Sequence, residues 1–452
     1  MTESLSFNTE EHFVLEQLKK KIKSKEAKVA VIGLGYVGLP LAVEKAKVGF
    51  NVLGIDQNPN RVDMVNQSQN YISDVKDDEL RELVSSGKIT AYCDFEILRE
   101  ADVIVICVPT PLTRNMEPDI SYIINVTNMT AEYLRKGQLV TLESTTYPGT
   151  TQEIMLPILR KSGLEVGNEF FLSFSPERVD PGNKRFTTKN TSKVVGGTTK
   201  ACLEAAITFY GQTIINVVPV SSPAVAEMTK VFENTYRAVN IALVNELALL
   251  CDRMDLDIWE VLNAAATKPF GIQIFYPGPG VGGHCIPIDP HYLTWKAREY
   301  DFHTRFIELA AEINMSMPYH VLNKVIKALN YSGKSLKGSK ILVFGVAYKK
   351  DIDDARESPA IKILSLLLKE GAKVTYHDIY IPEFKISVRE EDFVLKSAPL
   401  TDELVVFSDC IVILTDHSNI DYEAVVEKAK IVVDTRNATK TVKTNRDKII
   451  KI

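Results

Sequence analysis

The sequence predicts an α/β chain of two doubly wound, parallel-sheet domains joined by a central all-helical domain. Three observations carry this. Short apolar strand candidates alternate with helical stretches from Lys28 to about residue 215, the pattern of a parallel sheet covered by its crossovers. From Ser222 to about Ala266 there is no glycine, the only proline is Pro223 at the start, and apolar residues recur at helical spacing. After Tyr331-Ser332-Gly333-Lys334 the alternation returns. At 452 residues the chain exceeds one ordinary core, so several domains are expected.

Each element follows from its residues. His12 to Lys25 predicts a short amphipathic helix outside the main fold. Lys28 to Ile32 is a strand that runs into Gly33-Leu34-Gly35-Tyr36-Val37-Gly38, with a helix following through Ala46. Further strands are predicted at Asn51 to Asp56, Asp102 to Val108, Val140 to Glu143, Phe170 to Phe174 and Lys193 to Gly196. Met228, Val231, Phe232, Val239, Leu243, Leu247 and Leu250 then mark one or two long helices. Helices dominate to about Asn330. Beyond the boundary, strands are predicted at Lys340 to Gly345, Lys373 to Asp378, Cys410 to Thr415 and Ile431 to Asp434. The second half echoes the first: a strand ends at a glycine turn, and the next ends in an acid, Asp56 or Asp378. The expected domains are an extension at 1–27, a dinucleotide domain at 28–215, a helical domain at 216–332 and a second doubly wound domain at 333–452.

Composition sets the class. Charged residues make up 25% and hydrophobic residues 45%, as in globular proteins. The formal net charge of −5 gives no general argument for nucleic-acid binding. No apolar run reaches the roughly 18 residues that span a membrane, and the polar N-terminus carries no secretory signal. The six cysteines are dispersed without a CxxC pair, so neither a disulfide framework nor a metal site is indicated, and a reducing cytoplasm is expected.

A GxGxxG sequence alone is weak evidence. Here it follows a strand, opens a helix and has Asp56 at the end of the next strand, which together form a Rossmann dinucleotide fingerprint. Gly33 permits the tight turn, Gly35 admits the pyrophosphate, and Gly38 lets the helix pack on the sheet. Asp56 accepts from ribose hydroxyls and repels a 2′-phosphate, which favours NAD over NADP. Tyr36, Val37 and Arg61 belong to the same surroundings. Pro109 and Thr110 follow the third strand at the sheet's ligand edge, where a merely rigid loop is the alternative.

The segment Gly282-Gly283-His284-Cys285-Ile286-Pro287-Ile288-Asp289 places a thiol in a glycine-rich turn, with an acid four residues on. A thiolate attacks carbonyl carbon and holds the product covalently. The bland alternative is a buried structural cysteine. Beside a hydride acceptor, a carbonyl-trapping thiol suggests oxidation beyond the aldehyde. Lys230 and Asn234 share a helix face. They either polarise an oxyanion or form a solvated stripe. Glu177 and Thr146 each lie just past a predicted strand, at the edge where open α/β sheets collect ligands.

These residues carry a family resemblance. The chain resembles the nucleotide-sugar 6-dehydrogenases, which act on UDP-glucose and UDP-N-acetylhexosamines. The resemblance runs from about Lys28 to Asn437 through GLGYVGLP, ESTTYPG, SPER, the Lys230/Asn234 helix, GGHCIPIDP and FGVAYKKDIDDARESP. It implies an N-terminal NAD domain, a central helical dimerisation domain and a C-terminal Rossmann-like domain that holds UDP. It implies four-electron oxidation of the sugar's C6 alcohol to a carboxylate, with Cys285 as nucleophile. By the same match Lys230 and Asn234 stabilise the oxyanion, and Asp289, with Thr146, positions a water or acts as base. Glu177 serves thioester hydrolysis. Thr146 and Lys349 also touch the cofactor. Glu177, Arg178, Lys230, Asn234, Tyr276, Gly278, Gly282, Lys349 and Arg436 bind substrate, while Arg356 is either basic contact or scaffold. A UDP-sugar partner and a homodimer or higher homo-oligomer follow.

Two departures point to the N-acetylhexosamine branch. Pro181 stands where the UDP-glucose branch has a second acid, and the cysteine motif reads GGHCIPIDPHYL. Thr267-Lys268-Pro269-Phe270-Gly271 resembles UDP-N-acetylglucosamine enzymes, although Phe270 replaces an arginine that reaches the neighbouring subunit's substrate in some relatives. Lys268 is the nearest substitute. The N-acetylmannosamine and N-acetylgalactosamine epimers stay open, with glucose further off. Outside this class stand a two-electron hydroxy-acid dehydrogenase, with Lys230 as proton acceptor, and a non-catalytic sugar-nucleotide sensor.

Overall fold

The computed structural model of the chain describes residues 4–72, 74–113, 115–178, 186–283, 286–389 and 391–452, with backbone alone for 4–11. Contacts divide the chain into two compact units: Met1–Glu233 with Trp295–Asp301, and Asn234–Thr294 with Phe302–Ile452.

The first unit is built on eight strands. They are β1 Lys28–Ile32, β2 Asn51–Ile55, β3 Ile89–Tyr92, β4 Val103–Ile106, β5 Leu139–Leu142, β6 Phe171–Phe174, β7 Lys193–Gly197 and β8 Val217–Val220. Their order is β3-β2-β1-β4-β5-β6-β7-β8. Side-chain alternation explains why the strands read as unbroken apolar runs. Val29, Val31, Val103 and Val105 enter the core on one face, and Ala30, Ile32, Ile104 and Ile106 the core on the other. The register aligns Ile32 with both Ile55 and Ile106. The loops after β1, β2 and β4 therefore leave the sheet side by side, where the strand order reverses and such sheets bind ligands.

Two expectations are corrected. The sheet is not wholly parallel, because β7 runs antiparallel to β6. A parallel return needs a crossover, usually a helix, and the described residues between these strands contain none. The N-terminal helix, Ser4–Ser24, does not stand outside the fold. Val14, Leu15, Leu18 and Ile22 are buried in the same core as Ala205, Ala206 and Phe209 of the helix Lys200–Tyr210. Lys21 also donates to Asp102 at 2.9 Å.

The predicted helical run is the long helix Pro223–Met254 followed by Ile258–Ala265. Asp255 breaks the run with φ of 56°, and Asp257 caps the second helix through Trp259 N at 2.9 Å. The second unit holds the later part of the long helix, the helix Arg305–Tyr331 and a parallel sheet. Its strands, with a hairpin, are β9 Lys340–Phe344, β10 Lys373–His377, β11 Glu383–Val388, β12 Glu391–Lys396, β13 Cys410–Ile413, β14 Val432–Asp434 and β15 Ile449–Lys451. The sheet order is β10-β9-β13-β14-β15, and β11 pairs with β12 alone. The strand pattern along the sequence does not predict this hairpin. No described helix is long and apolar enough to cross a membrane.

Candidate active site

The fingerprint turn is as tight as its glycines imply. A Cβ on Gly33, whose φ is +92°, would lie 2.4 Å from Cys107 O, and one on Gly38 would lie 1.8 Å from Gly33 O. Nothing lies within 4 Å of the Cβ position of Gly35, so the backbone there is open to a ligand. The helix Gly38–Lys47 starts at Val37 with no side-chain cap; Leu39 N donates to Gly35 O at 3.1 Å and Pro40 has no amide hydrogen, so the positive helix start, more than a row of open amides, faces an anion. Buried Asp56 accepts from Leu34 N and Asn58 N at 2.9 Å each and pairs with Arg61 at 3.4 Å. An open glycine, an uncapped helix start and a carboxylate beyond the neighbouring strand fit a dinucleotide. Pro109 is exposed, while Thr110 is buried and donates to Thr145 O at 2.7 Å.

Beneath this edge lies a buried polar cluster. Glu143, the residue after β5, accepts from Lys193 and from the Tyr210 hydroxyl, each at 2.8 Å. Lys193 opens β7, also donates to Pro176 O at 3.3 Å, and lies 3.6 Å from Glu177. Cys107 sits close by, and burial first, with Glu143 second, pushes its thiol well above the ordinary range, so it is no rival nucleophile. Arg178 forks onto Glu233 at 2.6 and 3.3 Å and onto Ser192 O at 2.6 Å, which gives its guanidinium scaffold work.

Thr146 is buried against Thr150 at 2.7 Å. Thr150 donates its own hydrogen to Tyr147 O at 2.9 Å, so Thr146 is the donor between the two. The turn that carries Thr146 is pinned by Glu227, whose carboxylate accepts from Gly149 N at 2.6 Å and from Thr151 N and Oγ1 at 2.9 and 2.6 Å. Burial raises the Glu227 carboxyl to about 6 despite those bonds.

On the long helix Lys230 and Asn234 are both half-buried. Asn234 donates to buried Asp289, at the start of the helix Asp289–Ala297. His284 and Cys285 lie outside the described residues, as does Pro181. The glycines before the cysteine pack on the loop after β9. Cβ atoms on Gly282 and Gly283 would lie 2.8 and 2.9 Å from Tyr348, and Gly283 N donates to Arg356 O at 3.1 Å. Half-buried Lys349 belongs to that loop, and Arg356 forks onto Asp354 at 2.6 to 3.0 Å.

Tyr276 is half-exposed and stacks on Trp259 with centroids 5.5 Å apart. Gly278 N donates to buried Asn245 at 3.0 Å, and a Cβ on Gly278 would lie 2.6 Å from Arg436 Nη1. The structure thus brings Tyr276, Gly278 and Arg436 to one loop, and Asn234 to Asp289. The Lys268 ammonium lies 5.2 Å over the Phe270 ring, so the two side chains pair with each other.

Sequence reasoning missed Lys193, Glu143, Glu227 and Asn245. Helical spacing carried a signal for two of them, because positions 227, 230, 234 and 245 fall on one face of the long helix. The other two gave none. Their partners come from other strands.

Three family models cover the chain. They are the UDP-glucose/GDP-mannose dehydrogenase NAD binding domain at residues 27–214, central domain at 224–316 and UDP binding domain at 342–441. The chain belongs to the UDP-glucose/GDP-mannose dehydrogenase family. A UDP-N-acetyl-D-glucosamine 6-dehydrogenase of Pseudomonas aeruginosa is 36% identical over 79% of the chain and 84% of that protein. A UDP-N-acetyl-D-mannosamine dehydrogenase of Methanococcus maripaludis is 35% identical over 91% and 92%. The solved UDP-D-ManNAc dehydrogenase of Pyrococcus horikoshii superposes with a TM-score of 0.84 at 32% identity, covering 94% of this chain and 98% of its own. The family resemblance read from the motifs is borne out, as are the α/β fold class and the NAD cofactor. The chain is an NAD-dependent UDP-sugar dehydrogenase.

Proposed function

We propose that the enzyme oxidises the C6 alcohol of a UDP-N-acetylhexosamine to the carboxylate, with UDP-N-acetylglucosamine as the first candidate. Two NAD molecules, bound in turn, would supply the hydride acceptors for the two oxidations. The Cys285 thiolate adds to the C6 aldehyde carbon to give a thiohemiacetal, and the second oxidation leaves a thioester. Lys230 and Asn234 stabilise the oxyanion. The observation that carries the reading is the bond from Asn234 to Asp289. A carboxamide has two N–H donors. Asp289 holds one, which fixes the plane in which the other donates. Glu177 takes the proton of the water that attacks the thioester, and Thr146 orients that water.

Gly278 and Arg436 serve the diphosphate: the Arg436 guanidinium lies against the buried Gly278 backbone, and its planar fork suits paired phosphate oxygens. Tyr276, Gly282 and Lys349 complete the substrate surroundings, and Arg178 acts through Glu233. Gly33, Gly35, Tyr36, Val37, Gly38, Asp56, Arg61, Pro109 and Thr110 surround NAD. The partition at 28–215, 216–332 and 333–452 assigns NAD, dimerisation and UDP to successive domains. A second copy of the chain covers the long helix, where Met228, Phe232, Leu243, Leu247, Leu250 and Met254 are exposed.

UDP-N-acetylmannosamine is the second reading, supported by relatives of that name that match over most of the chain. The test is NADH release per molecule of limiting UDP-sugar, run with the N-acetylglucosamine, N-acetylmannosamine, N-acetylgalactosamine and glucose forms. Two NADH from one N-acetylated sugar, lost in Cys285→Ala, is the expected result. One NADH per molecule would sink the thioester route.

A further inference from the structure

The cluster under the nucleotide edge does more than fill space. Lys193 is buried, and its ammonium lies between two carboxylates, Glu143 at 2.8 Å and Glu177 at 3.6 Å. Burial alone drives the proton off such a lysine, yet the pull of Glu143 and Glu177 outweighs it and holds Lys193 above its ordinary value. Glu143 is held from the other side by the Tyr210 hydroxyl, which in turn meets Thr141 at 3.0 Å. The ammonium therefore cannot swing away without leaving a buried carboxylate short of its partner. Its third contact, Pro176 O, is the backbone immediately before Glu177. Lys193 thus grips the backbone and faces the carboxylate of the same short segment. A small crevice lined by Glu177, Arg178, Thr188, Thr191 and Lys193 opens beside them.

We propose that Lys193 is the positioning residue for Glu177, keeping that carboxylate ionised and fixed for the hydrolytic step. This rests on the role given to Glu177 above. In that step water oxygen bonds to the acyl carbon, its proton passes to Glu177, the C–S bond breaks, and Cys285 leaves as thiolate. A protonated Glu177 is far too weak a base to take that proton, and an opposite charge at this range favours the ionised form. Glu143, Tyr210 and Thr141 form the stack that holds the ammonium in place.

The test uses the full-length enzyme with NAD and the UDP-sugar that it turns over. Lys193→Met removes the charge but strands Glu143, so Lys193→Met/Glu143→Gln is made beside it. The double variant leaves no buried ion stranded at position 143, only Glu177 loses its cation, and the carboxamide that replaces the Glu143 carboxylate still accepts from Tyr210. The expected result is a fall in kcat of about tenfold or more with little change in KM. The covalent acyl-enzyme should accumulate in acid-quenched protein, and the acidic limb of the pH profile should move to higher pH. Lys193→Arg, which keeps the charge, should recover the profile in part. Glu177→Gln is the control that separates the two ideas. A slow Glu177→Gln beside a folded double variant with the wild-type profile and no acyl-enzyme overturns the role of Lys193. A fully active Glu177→Gln overturns the role of Glu177 first.

Discussion

Lys45 carries its amino group in the core of the first unit. It lies on the fingerprint helix, is fully buried, donates to Thr213 and sits 3.7 Å over the Phe209 ring. Burial lowers it to about 7, with Glu143 opposing and Lys193 assisting. The unfolded chain keeps its proton up to the ordinary lysine value, near 10.5. Between those values the unfolded state binds more protons, so stability rises with pH across this window, by an amount on the order of a few kcal/mol. Chemical denaturation from pH 7 to 9 should show that rise in the wild type and a flatter profile in Lys45→Met. A wild-type profile that falls over this range would contradict a neutral buried amine. Another contrast lies between the echoed acids. Asp56 takes two backbone amides, whereas Asp378 takes Val346 N, Ala347 N, Tyr380 N and Ile381 N as well as His417. A carboxylate offers about four lone-pair sites. Asp378 is spent on the loops that follow β9, β10 and β13, which leaves it fewer free lone pairs than Asp56 for a ribose.

At the scale of elements, the N-terminal helix shows how an amphipathic pattern leaves its partner open. Leu18 and Ile22 mark an apolar face, but nothing local says whether that face meets this chain or another. The structure packs it on the helix Lys200–Tyr210, far along the sequence. Leu18→Ala should cost about 2–5 kcal/mol in urea denaturation, as for other buried leucines. A loss below about 0.5 kcal/mol would mean that the helix is an ornament. The antiparallel β7 has a similar origin. Its residues read as a buried strand, while its antiparallel direction shows only in the pairing with β6.

Across the whole molecule, the exposed apolar residues of the long helix recur at helical spacing and make one stripe, a surface of the kind that a second copy covers. Sedimentation should find a dimer or larger assembly, and Leu247→Glu should shift it toward monomer while leaving NAD binding intact. A wild-type monomer at micromolar concentration would remove the second copy from the account.

The sequence by itself determined the strand–helix alternation, the fingerprint and the order of the family motifs. Each of these depends on neighbours a few residues apart. Side-chain period, glycine sterics and helix starts are local physics, so they can be read along the chain. It also named Asn234 and Asp289, though not that they bond. Only the tertiary structure decided the direction of β7, the docking of the first helix, and the assembly of Lys45, Glu143, Lys193 and Tyr210 beneath the nucleotide edge. Those four come from distant segments, and each alone looks like an ordinary surface residue. Burial gives them their chemistry, and burial depends on the folding of the whole unit.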